Sequence, residues 1–176
     1  AHLVIAEVQI TGGAGLTKND FVELYNPTGA AIDLNGLRLV KRTATGTADT
    51  TLKSWTESML VPTHGYYLWG NSDFTALAPI PDAKTSGTIS ENNGIALRQG
   101  AEDDGTIIDA VAWGTASNAF VEGTVFAENP GVNQSIERKP GGMEGSGEDT
   151  GNNANDFLLQ SAPNPQNTGN SAVPTL

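Results

Sequence analysis

The sequence contains no cysteine, and this absence removes several kinds of chemistry. Without thiols the chain forms no disulfides, performs no thiolate catalysis and builds no cysteine-based zinc site. The absence does not identify a compartment, because an oxidising exterior permits disulfides without requiring them. Long apolar runs are also missing. No segment approaches the ~20 residues that a membrane-spanning helix needs, so no membrane span is predicted.

Positive charge is scarce, with nine Lys and Arg against 20 Asp and Glu and a formal net charge of −11. A field of that sign repels a phosphate backbone, so the composition disfavours binding to nucleic acid and to anionic membranes. The adjacent basic pairs at 41–42 and 138–139 are too small to form a basic binding surface. Histidine is nearly absent as well, and His64 is predicted as a surface loop residue outside any triad or metal site.

Glycine and proline, by contrast, are plentiful, with 21 and nine residues. Residues 21–40 show their use: a strand is followed by an Asn-Pro-Thr-Gly turn, an Asp-Leu-Asn-Gly linker and a second strand. No amphipathic helix of three turns is found. The pattern predicts an all-β chain with about seven to nine short antiparallel strands, typical of an immunoglobulin-like β-sandwich. The main strands are predicted over residues 3–10, 21–26, 37–41, 66–69, 95–98, 106–113, 134–138 and 157–159, with a short edge strand near 52–55.

Four further expectations concern the organisation of the chain. In the first strand Glu7 and Gln9 take the polar phase, and the predicted core face holds Val4, Ala6, Val8 and Ile10. A helical turn is predicted over residues 73–78, and residues 79–86 are predicted as loop. The domain is predicted to span residues 1–160, and residues 161–176, rich in Pro and Asn, are predicted as a frayed tail or linker.

Glu7, Glu23 and Arg38 each fall on the polar phase of a predicted strand. If these strands are neighbours, the three side chains meet on one outer face. Two carboxylates about 5 to 9 Å apart would suit glycoside hydrolysis. A cross-strand ion pair that fixes the register explains the same residues structurally. The structural interpretation is favoured, because no flanking cleft or aromatic subsite is evident in the sequence.

Two oxygen-rich segments are candidate calcium sites, because hard cations take carboxylate and carbonyl ligands from loops. The same residue types also cap turns by accepting hydrogen bonds from backbone amides, so both interpretations stay open. The EF-hand spacing is absent. The candidate ligands are Asp103, Asp104 and Asp109 in the first segment, and Asp149, Asn153 and Asp156 in the second.

Of the three tryptophans, Trp55 lies in a stretch without a clear pattern and is the candidate exposed platform for a sugar. Trp69 and Trp113 lie in predicted strands and are expected in the core. A carbohydrate-binding module would place Trp55 beside a concave sheet, whereas burial of Trp55 would argue against one. The sequence contains no Gly-rich phosphate loop, nucleophile elbow or HExxH motif.

Several blocks of the chain, in order, resemble the lamin tail domain family in its bacterial, extracellular form. The most specific pair is the Phe-Val-Glu-Leu-Tyr-Asn-Pro block at 21–27 and the Asp-Leu-Asn-Gly block at 33–36. The other matching blocks lie at 4–8, 60–66, 109–114, 135–138 and 149–157, followed by a Pro- and Gly-containing exit at 163–169. The resemblance implies an immunoglobulin-like sandwich with no catalysis of its own. Such domains look like accessory or interaction modules of secreted or surface enzymes.

The sequence therefore predicts a non-catalytic module, extracellular or on the cell surface of a bacterium, that attaches to a protein or a cell-surface component. Fold alone does not identify the partner, and no residue specifies an oligomeric state. A carbohydrate-binding module, with or without Ca²⁺, is the alternative from another class. A hydrolase that uses Glu7 and Glu23 is the third.

Overall fold

The computed structural model describes residues 1–75 and 79–174, and these residues form short β-strands joined by turns. Within these two ranges, regular helix is confined to a 3-10 turn, Gly142–Glu144, and to one α-helical turn, α1, Asn153–Asp156. No described helix has the length and apolar character needed to cross a membrane. The strands are β1 Val4–Gln9, β2 Phe21–Tyr25, β3 Ile32–Asp33, β4 Leu37–Arg42, β5 Thr50–Ser54, β6 Leu60–Val61, β7 Tyr66–Asn71, β8 Ala83–Thr85, β9 Gly94–Gln99, β10 Thr106–Ala112, β11 Ser135–Arg138 and β12 Phe157–Gln160.

Two large sheets form the sandwich. One has six strands in the order β12-β11-β1-β2-β7-β8, and the other has four in the order β10-β9-β4-β5. Strands β3 and β6 form a separate two-stranded ribbon. Among the twelve strands named above, all pairings are antiparallel except that of β7 with β8, which is parallel. The predicted sandwich is confirmed. The structure has more strands than predicted, because β3, β6 and β8 are only two or three residues long and too short to show an alternating pattern.

The main core lies between the two large sheets, where the inward phase of each strand is apolar. The core takes Val22 and Leu24 from β2, and Leu37 and Leu39 from β4, as the alternation predicts. Trp69 and Trp113 are also fully buried in it, so their predicted core positions are confirmed.

A β-bulge changes the phase of β1 and corrects one prediction. The register with β2 shifts between Ile5 and Glu7, so the inward positions do not follow strict alternation. Ile5 and Val8 both face the main core, whereas Val4 and Ala6 belong to a cluster on the opposite face. The predicted common face of Val4, Ala6 and Val8 is therefore wrong, because the extra residue reverses the orientation of the strand's first half.

The outer face of the six-stranded sheet is covered by residues 161–174, which we call the C-terminal segment. The Tyr25 hydroxyl donates a 2.5 Å hydrogen bond to the Val173 carbonyl, and the Val173 amide donates one of 3.0 Å to the carbonyl of His64. Val173 packs in a cluster with Tyr25 and Tyr66. The expectation of a frayed tail is thus corrected for these residues, because β2 and β7 carry apolar side chains on both faces. The division into a domain at 1–160 and a tail stays a prediction.

Residues 79–86 also differ from the predicted loop, because Ala83–Thr85 form β8 at the edge of the six-stranded sheet. The Asp82 carboxylate accepts a 2.8 Å hydrogen bond from the Leu68 amide just before this strand. In the predicted helical turn over 73–78, residues 76–78 lie outside the described residues.

Candidate functional site

Three glutamates form a row across three adjacent strands on the covered face of the six-stranded sheet. Glu7 in β1 lies directly opposite Glu137 in β11 on one side and Glu23 in β2 on the other. Their exposed fractions are 0% for Glu7, 2% for Glu23 and 3% for Glu137. We call these residues the glutamate row. Buried carboxylates are rare because removing a charge from water is costly unless it is compensated.

The C-terminal segment supplies backbone amides to two members of the row. The Asn164 amide lies 3.2 Å from Glu7 Oε1, and the Gln166 amide donates a 2.6 Å hydrogen bond to Glu23 Oε2. The Ser135 hydroxyl also donates to Glu7 Oε1, at 2.5 Å. Glu7 Oε2 is buried and has no hydrogen-bond partner. These contacts connect a segment of low hydrophobicity to the centre of the sheet.

Glu137 is the best-satisfied member of the row. The Gly142 amide donates a 2.8 Å hydrogen bond to its Oε1, and the Gln160 side chain donates one of 2.8 Å to its Oε2. Close contact also explains why residue 141 is glycine: a Cβ there would lie 2.8 Å from the Glu137 carboxyl carbon. Both oxygens of Glu137 are therefore occupied by neutral donors.

Burial changes the protonation of the row. The pKa of Glu7 is raised from 4.5 to about 8, mainly by desolvation; the Ser135 hydrogen bond opposes this increase, and the Glu137 charge contributes to it. Desolvation also raises the pKa of Glu23 well above its usual value, and the charge of Glu7 adds to this increase. At neutral pH, without another cation, Glu7 therefore holds a proton that an exposed glutamate would release.

Arg38 does not join Glu7 and Glu23, so the predicted three-residue ion pair is wrong. Arg38 lies in β4 of the other sheet, where its guanidinium is 3.8 Å from Glu102 and donates a 2.8 Å hydrogen bond to Thr51. The alternation gave the polar phase correctly but could not assign each strand to a sheet. Glu7 and Glu23 do meet, as the prediction required, but the C-terminal segment covers them.

A second buried acidic cluster, centred on Asp109 and Arg138, was not predicted. Arg138 Nη2 lies 2.8 Å from Asp109 Oδ2, and that oxygen also accepts a 2.6 Å hydrogen bond from the Ile5 amide. Burial raises the pKa of Asp109, against the opposing effect of the Arg138 charge. A basic residue at the end of a strand carries no sequence signal that distinguishes a core ion pair from a surface charge.

The second predicted calcium segment adjoins this cluster. Single donor atoms of His2, Asp109 and Asp149 all lie within 4.8 Å of one another. Asp149 also lies 3.8 Å from Arg138, so a guanidinium already provides positive charge there. Asp156 accepts a 2.6 Å hydrogen bond from the Thr150 hydroxyl, as turn capping predicts.

The side chain of Asn153, like that of Asp156, already forms hydrogen bonds within the protein. Its Oδ1 accepts from the amides of Ala112 and Glu122, each at 3.1 Å, and its Nδ2 donates to the Ala110 carbonyl at 3.1 Å. These bonds fasten the α1 turn to β10. Calcium binding by this second segment stays a prediction.

The candidate ligands of the first predicted calcium segment do not lie together in the structure. Asp109 lies in β10, away from the turn that holds Asp103 and the exposed Asp104. Asp103 Oδ1 accepts a 2.7 Å hydrogen bond from the Asp49 amide and lies 3.4 Å from Arg42. The carboxylate of Asp103 therefore serves this turn, and calcium binding by Asp103 and Asp104 stays a prediction.

Asp49 is the centre of a third acidic cluster. Its carboxylate lies 2.7 Å from Arg42 and 2.6 Å from Arg98. Burial alone would raise the pKa of Asp49, but hydrogen bonds from Arg98, Asp103 and Arg42 reverse the effect and lower it. Both guanidinium groups also lie over the Phe120 ring, at 5.0 and 5.5 Å from its centroid.

Trp55 is buried, which overturns its interpretation as a sugar platform. The side chain is 5% exposed and belongs to the main core. Its ring meets that of Tyr67 edge-on, with centroids 5.4 Å apart. A sugar-stacking residue must present a ring face to solvent, so the specific observation that favoured a carbohydrate-binding module is absent.

The two facing sheets and their antiparallel order define the class of the protein as an immunoglobulin-like β-sandwich. Within this class the chain belongs to the lamin tail domain family, whose model matches residues 1–115. The match includes Glu7 and Glu23 but ends before β11. The resemblance stated from the sequence is confirmed.

A solved structure extends the similarity of fold over nearly the whole chain. It is the crystal structure of a DUF4876 family protein from Bacteroides thetaiotaomicron VPI-5482, with a TM-score of 0.64 and 13% sequence identity. The alignment covers 99% of this chain and 74% of that chain. No curated protein sequence matches the chain.

Proposed function

We propose that the chain is a non-catalytic attachment module, extracellular or on a bacterial cell surface, that binds a protein or cell-surface component. The observation that carries the non-catalytic part is the burial of Glu7 and Glu23 beneath the C-terminal segment. A hydrolase must bring water and substrate to its two carboxyl groups. Both groups here are withdrawn from solvent and engaged by backbone amides.

The attachment part rests on the family and on the open borders of the sandwich. Strand β12 borders the six-stranded sheet and has β11 as its neighbour there. The segment Phe157–Gln160 contains neither proline nor a charged residue, the devices that usually protect an edge from pairing. An extended partner strand recognised through its backbone would suit such an edge.

The location and the binding activity can be tested together. In cells that produce the parent protein, an epitope tag beside this chain is expected to be digested by protease added to intact cells. The purified, labelled chain is expected to bind those cells saturably and to be displaced by unlabelled chain. An unrelated soluble protein of similar negative charge serves as the control.

Three results would contradict the proposal. The first is a tag that is protected until the cells are lysed, and the second is binding no stronger than that of the control protein. The third is hydrolysis of a glycoside substrate by the purified chain that is lost on Glu23→Gln.

A further inference from the structure

Two of the three buried acidic clusters contain their own positive charge. Asp109 is paired with Arg138, and Asp49 is paired with Arg42 and Arg98. In both clusters the guanidinium approaches the carboxylate to 2.8 Å or less. Pairing of this kind is the usual way in which a protein tolerates a buried carboxylate.

The glutamate row lacks such a charge. Among residues 1–75 and 79–174, every ion pair closer than 4.0 Å involves acidic groups other than Glu7, Glu23 and Glu137. The groups that donate to the row are neutral: backbone amides, a serine hydroxyl and a glutamine amide. Three adjacent buried carboxyl groups are thus left without a neutralising cation from the described part of the chain.

Unpartnered oxygens lie beside the row. Glu7 Oε2 is fully buried without a partner, and so is the hydroxyl of Tyr66, whose side chain is 1% exposed. Tyr66 lies on the same face as Glu23, because it pairs with Tyr25 two positions along β2. Its pKa is raised by burial and then by the negative charge of Glu23, as expected for a hydroxyl on this face of the sheet. The Asn164 Oδ1 atom, on the covering segment, is also buried without a partner.

We propose that the glutamate row is a calcium site, in which Glu7 and Glu23 ligate one Ca²⁺ together with the side-chain oxygen of Asn164. The donors are all oxygens and two are carboxylates, the set that a hard cation takes. Calcium accepts six to eight oxygen ligands in irregular geometry, whereas magnesium requires a near-ideal octahedron. Glu137 contributes its charge, since neutral donors already occupy both of its oxygens.

The site differs from the two loop segments predicted from sequence and joins two parts of the fold. Glu7 and Glu23 belong to the sheet, while Asn164 belongs to the C-terminal segment. An ion held between them would neutralise the buried row and fasten the segment. Metal ligation requires deprotonated carboxylates, so calcium binding is expected to release protons and to weaken as the pH falls.

The test is calcium titration of the purified chain at neutral pH after removal of metals with EDTA. Wild-type protein is expected to bind a single Ca²⁺ per chain by calorimetry and to melt several degrees higher with calcium. Glu23→Gln, which keeps shape and removes charge, is expected to abolish binding and to raise the melting temperature measured in EDTA. The control Glu57→Gln removes an exposed carboxylate outside every candidate site and is expected to leave binding unchanged. Asp149→Asn removes a candidate ligand of the competing loop segment beside Arg138 and is expected to leave binding unchanged as well.

A second measurement avoids reliance on one variant. Terbium, a luminescent stand-in for calcium, is expected to be sensitised by excitation of Tyr66 and to lose most of that emission in Tyr66→Phe. Three results would overturn the proposal: no calcium binding at millimolar concentration, binding that survives Glu23→Gln, or binding lost in Asp149→Asn. The first would show that protons alone neutralise the row, and the last would place the ion beside Arg138.

Discussion

One buried arginine, Arg138, joins four parts of the chain. Its Nε donates a 2.8 Å hydrogen bond to the Ile5 carbonyl in β1, and its Nη1 donates one of 2.9 Å to the Glu148 carbonyl. Its Nη2 binds Asp109 in β10, and its guanidinium lies 4.6 Å from the centroid of the Phe157 ring. The planar fork of arginine suits several simultaneous partners, which a lysine ammonium could not reach.

Removal of this guanidinium is expected to be severe. Arg138→Met should lower the free energy of unfolding by about 3–5 kcal/mol, because Asp109 would stay buried without its partner. Arg38→Met is the matched control, since the Arg38–Glu102 pair is partly exposed and contributes about 0–1 kcal/mol. Urea unfolding monitored by tryptophan fluorescence measures both. Equal losses in the two variants would contradict the role given to Arg138.

A comparison of two glycine-to-alanine variants distinguishes the cost of backbone strain from the cost of steric crowding. Both Gly36 and Gly114 have positive φ, +85° and +66°. A Cβ at Gly114 would lie 2.2 Å from Asn92 Oδ1, whereas one at Gly36 meets nothing within 4 Å. Gly36→Ala is therefore expected to cost about 1–2 kcal/mol from backbone strain alone. Gly114→Ala is expected to cost more in the same urea experiment, and a smaller cost would contradict the crowding.

At the scale of elements, the C-terminal segment is expected to contribute measurably to stability. Val173 is 5% exposed against Tyr25 and Tyr66, so Val173→Ala should cost about 1–2 kcal/mol through lost apolar burial. The control is Val132→Ala, since Val132 is 65% exposed and surface changes stay within about 0.5 kcal/mol. Urea midpoints compare the pair, and indistinguishable midpoints would mean that the segment is a loosely held tail.

Strands whose conformation follows from the local sequence pattern could be predicted, whereas segments held in place by contacts distant in sequence could not. β2 and β4 alternate cleanly and pack as expected. The bulge in β1 has no glycine to mark it, so the reversed phase of Val4 and Ala6 was missed. β8 is three residues long and is held by its neighbour β7, beyond the reach of periodicity. The C-terminal segment is ordered by buried carboxylates that lie more than a hundred residues earlier in the chain.

For the same reason, only part of the candidate site could be predicted from the sequence. The polar phases of Glu7 and Glu23 placed them on one face, and β1 and β2 are indeed neighbours. Glu137 was not included, because β11 pairs with β1 across a long stretch of chain that gives no pairing signal. Burial of the row follows from the covering segment, whose composition resembles that of a linker.

For the molecule as a whole, the glutamate row predicts a pH dependence of stability opposite to that of a carboxylate whose pKa is lowered in the fold. The pKa of Glu7 rises from 4.5 in the unfolded chain to about 8 in the fold. Between these values the unfolded chain releases a proton that the folded chain retains. The free energy of unfolding in EDTA is therefore expected to fall as pH rises, by up to about 1.4 kcal/mol per pH unit for this group.

Melting temperatures in EDTA from pH 5 to pH 8 would measure this slope, and Glu7→Gln should flatten it. Burial also raises the pKa of Asp20 to about 6 and that of Glu122 to about 7, so both add to the slope in the same direction, and the difference between wild type and Glu7→Gln isolates the contribution of Glu7. Asp49, whose pKa is lowered, acts at more acidic pH. Stability that rises with pH in EDTA, or an unchanged slope in Glu7→Gln, would contradict the assignment.

The position of β1 between β2 and β11 has a consequence for the order in which the protein is made. β1 and β2 leave the ribosome before β11 and can pair as a hairpin. Ser135, which completes the other edge of β1, follows Glu7 by 128 residues. Until β11 arrives, Glu7 is hydrated and ionised and β1 presents an open edge, a state prone to mispairing. Strand β1 therefore waits for β11 to complete its second edge, and Glu7 takes up a proton or a cation only as the sheet closes.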